Sequence, residues 1–142
     1  MTNPDELNAL ALRCEREEAS RELDIHIAER LGWWRINRRI NGSVVGLFRG
    51  RTRTVPPYTT SLDAAVSLVP EGMVAAAIHY VPQLDPKMPA SGVARVYSDD
   101  LESGRCTGRT AALALCAAAL RARAALAGMA RQQTHQRSGS ER

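Results

Sequence analysis

Four consecutive residues with hydroxyl groups precede a short predicted helix and are the first candidates for binding chemistry: Tyr58, Thr59, Thr60 and Ser61. Free backbone N–H groups and the dipole at a helix N-terminus favour an anion, so a phosphate group would fit this stretch. Hydroxyl side chains also cap helix N-termini, and Thr60 or Ser61 suits that role. An anion site and ordinary capping are therefore both open, and capping is the commoner reason for such residues.

Six arginines lie close together in the sequence, interleaved with aromatic residues: Arg35, Arg38, Arg39, Arg49, Arg51 and Arg53, with Trp33, Trp34 and Phe48. Guanidinium groups contact phosphates, and aromatic rings stack on bases. The segment is a candidate basic surface, and nucleic acid is one partner that it would suit. No nucleic-acid-binding motif accompanies it, and a run of charges is more often a solvated face. Whether the two tryptophans face the core or the solvent stays open.

Catalytic and metal-binding patterns are missing from the sequence. The three histidines are widely separated, and the acidic cluster fits ordinary turn chemistry: His26, His79 and His135; Asp99, Asp100 and Glu102. The serines and cysteines lack the motif of a nucleophile elbow. We therefore predict no catalytic residue, no metal site and no cofactor. A phosphoester hydrolase that uses His79 or the Asp99–Asp100 turn is the remaining enzymatic alternative.

The helices that must position these residues follow from apolar periodicity and capping signals. Helices are predicted over about residues 5–19 and 21–31, with Ser20 as N-cap of the second and Gly32 at its C-terminal end. The helix after the hydroxyl-bearing residues runs through Val69, because proline and glycine follow.

The strands are less evident than the helices. Residues 33–55 predict a short strand or an irregular hairpin around a tight turn at Asn41–Gly42. Residues 73–81 predict a strand that is apolar on both faces, which is typical of a strand covered by helices on both sides. Residues 92–97 predict its antiparallel partner.

The C-terminal part of the chain contains a long predicted helix. Thr110 is its N-cap, and residues 111–120 are apolar nearly all round, which indicates burial against the sheet. We predict that residues 1–130 form one α+β domain: a small sheet with an antiparallel strand pair, covered by helices on both faces, an α-β-α sandwich. Residues 131–142 are polar and predict a disordered tail.

Three stretches of the chain together resemble the phage α-β-α sandwich domain, a small protein of phages and prophages with no assigned biochemical role. They are residues 21–29, 57–72 and 110–123, and the most specific parts are Tyr-Thr-Thr-Ser-Leu-Asp-Ala-Ala and Leu-Ala-Leu-Cys-Ala-Ala-Ala-Leu-Arg-Ala. Relatives commonly have proline after the helix-capping threonine, where this chain has Ala111. The resemblance implies the sandwich fold and a phage or prophage setting, and it implies no catalytic residue.

Length and charge set broad limits on the protein. A chain of 142 residues fits one domain, which typically buries about 70% of the surface that its unfolded chain exposes. The net charge is +4, and Lys87 is the only lysine, so the positive charge is almost all arginine. An anionic partner is compatible with this charge without being required by it.

The cysteines and the apolar runs predict where the protein works. Cys14, Cys106 and Cys116 are odd in number and widely spaced, which predicts free thiols in a reducing compartment. The N-terminus does not resemble a secretory leader, and Arg121 and Arg123 interrupt the C-terminal apolar run. We therefore expect a cytoplasmic protein of the bacterial host cell that does not interact with the membrane.

These observations favour a non-catalytic phage or prophage accessory protein. It would bind or sequester a host protein, another host component or a small nucleotide-like anion. The alternatives are a nucleic-acid-binding module that uses residues 33–53 and the phosphoester hydrolase. A homo-oligomer is also expected, because two largely apolar elements in so small a chain leave an exposed apolar patch.

Overall fold

The computed structural model of the chain describes the backbone of residues 3–80 and 91–140, and the side chains of residues 3–78 and 91–130. Its helices are α1 (Pro4–Arg16), α2 (Arg21–Arg30), α3 (Leu62–Val66) and α4 (Ala111–Ser140). Its strands are β1 (Trp34–Arg38), β2 (Val44–Phe48), β3 (Arg51–Thr54), β4 (Val74–Tyr80), β5 (Ser91–Tyr97) and β6 (Cys106–Gly108). The predicted α+β class is confirmed.

The strands form two antiparallel sheets of three strands each, in the orders β1-β2-β3 and β4-β5-β6. In the second sheet, β4 pairs with β5 from Val74 opposite Tyr97 to Tyr80 opposite Ser91. This is the antiparallel pair that the sequence predicts. In the first sheet, β1 and β2 form an irregular hairpin, as the sequence predicts, with a register shift between Trp34 and Asn37. A second hairpin adds β3 to this sheet.

Helix α4 is the centre of the hydrophobic core. Every residue from Ala112 to Leu120 is buried, as the sequence predicts. α4 contacts all three strands of the second sheet, and α1 and α3 also pack against it. The helix lies so close to the sheet that a Cβ atom on Gly92 would be 2.3 Å from the backbone of Thr110. A Cβ atom on Gly108 would be 2.8 Å from the backbone nitrogen of Ala114. Glycine is therefore required where the sheet meets α4.

α4 is longer than the sequence predicts. It continues to Ser140, through most of the segment 131–142 that the sequence predicts as a disordered tail. Alanine, arginine and glutamine are good helix formers, and no proline follows Ala111 to end the helix. By length and composition alone, its segment Ala111–Ala130 could cross a membrane. That stretch is mostly buried inside this fold, and a core helix meets the same criterion.

Strand β4 differs from its prediction in one respect. The sequence predicts burial on both faces, but Val74 and Ile78 are 53% and 65% exposed. α4 covers the face on which Ala94 and Val96 of β5 are buried, and Val74, Ala76 and Ile78 lie on the opposite face. Burial on both faces is therefore wrong for this strand. An apolar strand has the same sequence pattern whether its second face meets protein or solvent.

Candidate anion-binding site

A pocket with a volume of about 520 Å³ lies beside the first sheet, where it meets α4 and the residues around α3. Small-molecule sites in proteins commonly have volumes of about 300 to 1,000 Å³. The lining combines three cations, three aromatic rings and two hydroxyl-bearing side chains: Arg49, Arg53 and Arg123; Trp33, Phe48 and Tyr58; Thr54 and Ser67. Residues far apart in sequence contribute, so only the folded chain forms this pocket.

Trp33 and Phe48 form an aromatic pair in the pocket lining. Their rings are stacked, with centroids 5.1 Å apart and planes inclined by 15°. Gly32 has a φ of 100° and ends α2 directly before Trp33, as the sequence predicts. Gly46 of β2 leaves room for the indole, because a Cβ atom there would be 3.2 Å from Trp33 Cε3. Two glycines thus determine where Trp33 lies.

Two hydrogen-bond donors of the lining are buried aromatic side chains. The indole Nε1–H of Trp33 has no hydrogen-bond partner among the described residues, although Trp33 is only 6% exposed. An unpaired buried donor costs about 1 to 3 kcal/mol. Burial raises the pKa of Tyr58 to about 12, against an opposing effect of the Arg123 charge. Tyr58 is therefore a protonated phenol at neutral pH, and both side chains would donate to an acceptor atom in the pocket.

Three arginines bring positive charge to the pocket from different elements. Arg49 lies in the turn between β2 and β3, with its guanidinium carbon 5.2 Å from the centroid of the Phe48 ring. Arg53 lies on β3, and Arg123 on α4 donates from Nε to the Leu68 carbonyl at 2.7 Å. Burial lowers the pKa of Arg123, against an opposing effect of Tyr58. Within the described side chains, no carboxylate lines the pocket and none forms an ion pair with these arginines.

The backbone of Arg49 has an unfavourable conformation. Arg49 and Gly50 have φ angles of 52° and 77° and form the two-residue turn between Phe48 and Arg51. Positive φ at both positions is typical of a type I′ turn, which favours asparagine, aspartate or glycine. An arginine in this left-handed conformation costs roughly 1 to 2 kcal/mol. Such strained positions cluster at functional sites, and this one places a cation at the pocket.

Buried Asp24 holds the segment before α3 against α2. Its carboxylate accepts hydrogen bonds from the backbone N–H of Thr59 at 2.8 Å and from the Thr59 hydroxyl at 2.7 Å. Arg21 pairs with the same carboxylate at 3.0 Å and also donates to the Val55 carbonyl at 2.9 Å. A buried carboxylate needs these donors because it has lost its hydrogen bonds to water. The network determines the position of Tyr58, which directly precedes Thr59.

Of the four hydroxyl-bearing residues predicted as an anion site, only Tyr58 lines the pocket. Thr59 is buried and bonded to Asp24. The Thr60 hydroxyl donates to the Pro57 carbonyl, and Ser61 is the N-cap of α3, accepting from the backbone N–H of Ala64. Thr59, Thr60 and Ser61 therefore have structural roles, and the helix N-terminus is used for capping.

The six arginines of the predicted basic surface separate into two groups. Arg49 and Arg53 line the pocket, whereas four lie outside its lining: Arg35, Arg38, Arg39 and Arg51. Arg35 lies over the ring of Trp34, with its guanidinium carbon 4.8 Å from the ring centroid. Trp34 is exposed and Trp33 is buried, which answers the question that the sequence leaves open.

Arg123 is the pocket residue that sequence reasoning missed. With Arg121, it follows the apolar and buried run at the start of α4, and in the sequence both arginines argue against a membrane span. A charged residue in a core helix needs a partner or a polar cavity, and that signal identifies Arg123 as a candidate. Its contribution to a shared pocket with β3 follows only from tertiary structure.

Among the described side chains, the remaining chemically reactive groups lie outside the pocket lining. His26 Nδ1 accepts a hydrogen bond from Arg13 at 2.7 Å, and Glu102 pairs with Arg95. A hydrogen bond to Cys14 and burial raise the pKa of the Cys116 thiol, so it is a weak nucleophile. In residues 3–78 and 91–130, whose side chains the structure describes, no three His, Cys, Asp or Glu side chains come together as metal ligands. The side chains of His79 and His135 lie outside the described residues.

Comparisons with known protein families, with curated proteins and with solved structures find no match to this chain. The resemblance to the phage α-β-α sandwich domain therefore stays a prediction. The lining of the pocket combines guanidinium groups, aromatic rings and hydrogen-bond donors, a chemistry that suits an anionic ligand. It contains no pair of residues arranged as nucleophile and base within its described lining.

Proposed function

We propose that the chain is a non-catalytic binding protein whose ligand is a small anion with a planar group, such as a nucleotide. The observation that carries the proposal is the meeting of three arginines with the Trp33–Phe48 stack in one pocket of about 520 Å³. In the phage setting that the resemblance implies, the protein acts in the host cytoplasm by binding or sequestering this ligand.

The charge of the lining supports an anion. Arg49, Arg53 and Arg123 make no ion pair with a described carboxylate, so a bound anion would neutralise them. The Trp33 indole and the Tyr58 phenol add neutral donors. A phosphate supplies several acceptor oxygens, and guanidinium groups bind phosphate through paired hydrogen bonds.

The aromatic part of the lining supports a planar group on the ligand. Phe48 already carries the Arg49 guanidinium on its ring, and Trp33 is stacked against it. Stacking of a nucleobase on an aromatic ring or a guanidinium plane contributes about 1 to 3 kcal/mol. Inorganic phosphate has no planar group to stack, so we expect a nucleotide to bind more tightly than phosphate.

Titration of the purified protein with nucleotides tests the proposal. Trp33 is in the pocket, so its fluorescence in a Trp34→Phe background would report binding directly. We expect Arg53→Gln and Arg123→Gln each to weaken nucleotide binding by about 10- to 100-fold, since a charge-assisted hydrogen bond contributes about 1.5 to 3 kcal/mol.

Arg38→Gln is the matched control, because Arg38 is an exposed arginine of the first sheet outside the pocket lining. It should leave nucleotide affinity unchanged. The proposal would be overturned if neither phosphate nor any nucleotide binds. It would also be overturned if Arg53→Gln, Arg123→Gln and Arg38→Gln weaken nucleotide binding equally. Chromatography of the incubated nucleotide would detect any chemical conversion. Such conversion would contradict only the proposal that the protein is non-catalytic.

A second candidate function is single-stranded nucleic-acid binding, favoured by the exposed Trp34 with Arg35 over its ring. Exposed aromatic rings beside arginines bind bases by stacking and phosphates by charge. Gel-shift titrations separate the two functions. Nucleic-acid binding should fall with Trp34→Ala and Arg38→Ala and weaken steeply with salt, whereas nucleotide binding should fall with Arg53→Gln.

A further inference from the structure

Strand β4 forms an unpaired edge of the second sheet. Among the described residues it pairs with β5 on one side and with no strand on the other. Its seven residues, Val74–Tyr80, include no Asp, Glu, Lys, Arg, proline or glycine. An edge strand exposes a row of backbone N–H and C=O groups, and proteins usually protect it by charge, proline, a bulge or short length. β4 has none of these protections.

The exposed face of β4 is also apolar. Val74, Ala76 and Ile78 lie on it and are all exposed. On the neighbouring strand the same face carries Arg95, which pairs with Glu102 at 2.8 Å. The positive charge of Arg95 therefore lies one strand away from the β4 edge, and Glu102 neutralises it.

The other strand edges of the described chain are protected. β1 has an irregular register between Trp34 and Asn37 and carries exposed arginines, and β3 carries Arg51 and Arg53. β6 is only three residues long. Pairing of β4 with β1 or β3 of another copy would bring an apolar strand against arginines. A second β4 is the partner edge in this chain that matches it in length and lack of charge.

We infer that two copies of the chain associate through β4, paired antiparallel across a twofold axis, to form one continuous six-stranded sheet. Antiparallel pairing of identical edges is an isologous contact, which closes at two copies. The axis is perpendicular to the sheet, so Val74, Ala76 and Ile78 of both copies form one apolar strip on the same face. Arg95 of the two copies would be three strand spacings apart, about 14 Å, so their repulsion is screened.

The mass of the protein in solution tests this inference. We expect light scattering in the micromolar range to give twice the chain mass of 15.5 kDa. Ile78→Lys puts a charge beside the twofold axis, and we expect it to weaken dimerisation by about tenfold or more. Ile78 is exposed, so the substitution should preserve the fold, which circular dichroism checks.

Thr107→Lys is the matched control, because Thr107 is exposed on the same face but on β6, at the far edge of the sheet. It should leave the dimer intact. A strictly monomeric wild-type protein overturns the inference, as does a larger open assembly. A dimer that Ile78→Lys and Thr107→Lys affect equally overturns it as well.

A thiol crosslink gives a second measurement that does not depend on Ile78→Lys. The three native cysteines are buried, so a short bis-maleimide should react first with an introduced exposed thiol. Ala76→Cys should yield a covalent dimer, and Thr107→Cys should not. Crosslinking of both variants to the same extent would contradict pairing through β4.

Discussion

The two sheets of this protein differ in what holds them and in what they expose. The second sheet lies against α4 so closely that Gly92 and Gly108 have no room for a Cβ atom. The first sheet carries exposed arginines and lines a pocket with Arg49 and Arg53. The second sheet therefore packs against the core helix, and the first sheet contributes residues to the proposed ligand site. Substitutions in the second sheet should change folding, and substitutions in the first should change binding.

The largest expected effect is that of Gly92→Ala in the second sheet. The new methyl would lie 2.3 Å from the backbone of Thr110, so strand and helix must separate. We expect a loss of about 3 kcal/mol or more in the free energy of unfolding, measured by urea denaturation. Gly128→Ala is the control: it lies on α4 with open space around it and should stabilise by about 0.5 to 1 kcal/mol. Similar small effects of both substitutions would contradict the close contact between sheet and helix.

Removal of the Asp24 carboxylate should have the next largest effect. Asp24→Ala removes the acceptor of the Thr59 backbone N–H, and one of the acceptors of the Thr59 hydroxyl and of the Arg21 guanidinium. We expect a loss of about 2 to 4 kcal/mol in stability. Nucleotide affinity of the folded protein should also fall, because Tyr58 is next to Thr59 in the chain and moves when Thr59 moves. An unchanged nucleotide affinity would show that the Asp24 network does not position the pocket residues.

The pH dependence of stability tests the burial of Tyr58. Burial raises the pKa of Tyr58 to about 12, above the ordinary value of about 10. The folded state therefore holds its proton more tightly, so stability is present below pH 10 and falls between about pH 10 and 12. The loss should be at most about 3 kcal/mol, since one pKa unit corresponds to about 1.4 kcal/mol, and Tyr58→Phe should remove it. Tyr97→Phe in the second sheet is the control and should keep it in an alkaline denaturation series.

Arg49→Asn should have the smallest effect on stability. It also distinguishes most clearly between the roles of the two sheets. Asparagine tolerates the φ of 52°, so we expect a gain of about 1 kcal/mol in stability. The cation over Phe48 is lost, so nucleotide affinity should fall. Opposite signs for stability and affinity are the expected result, measured by urea denaturation and by titration. A loss of stability would show that the arginine is not strained.

Local signals in the sequence predict much of the fold. Ser20 and Thr110 cap α2 and α4 as expected, and the Asn41–Gly42 turn joins β1 to β2. The sequence does not predict strand β3, because Arg-Thr-Arg-Thr has no apolar alternation and forms a strand only through pairing with β2. Pairing partners of this kind depend on tertiary structure, which local propensity does not contain.

The candidate site is less predictable than the fold. The sequence drew attention to Arg49, Arg53 and Tyr58 for reasons of residue type, and all three line the pocket. The same reasons selected Thr59 to Ser61, whose groups are used in capping and in the Asp24 network. Residue type predicts which groups can bind an anion. Only the three-dimensional arrangement determines which of them are already engaged.

The position of Arg123 has a thermodynamic consequence. Arg123 belongs to the core helix α4, whereas Arg49 and Arg53 belong to the peripheral first sheet. A ligand that contacts all three would connect the sheet to the core. Because local opening of the sheet would then require release of the ligand, the free energy of that opening would rise with ligand concentration. Amide hydrogen exchange in β1–β3 would thus report ligand binding, while exchange in the α4 core would change only with global stability.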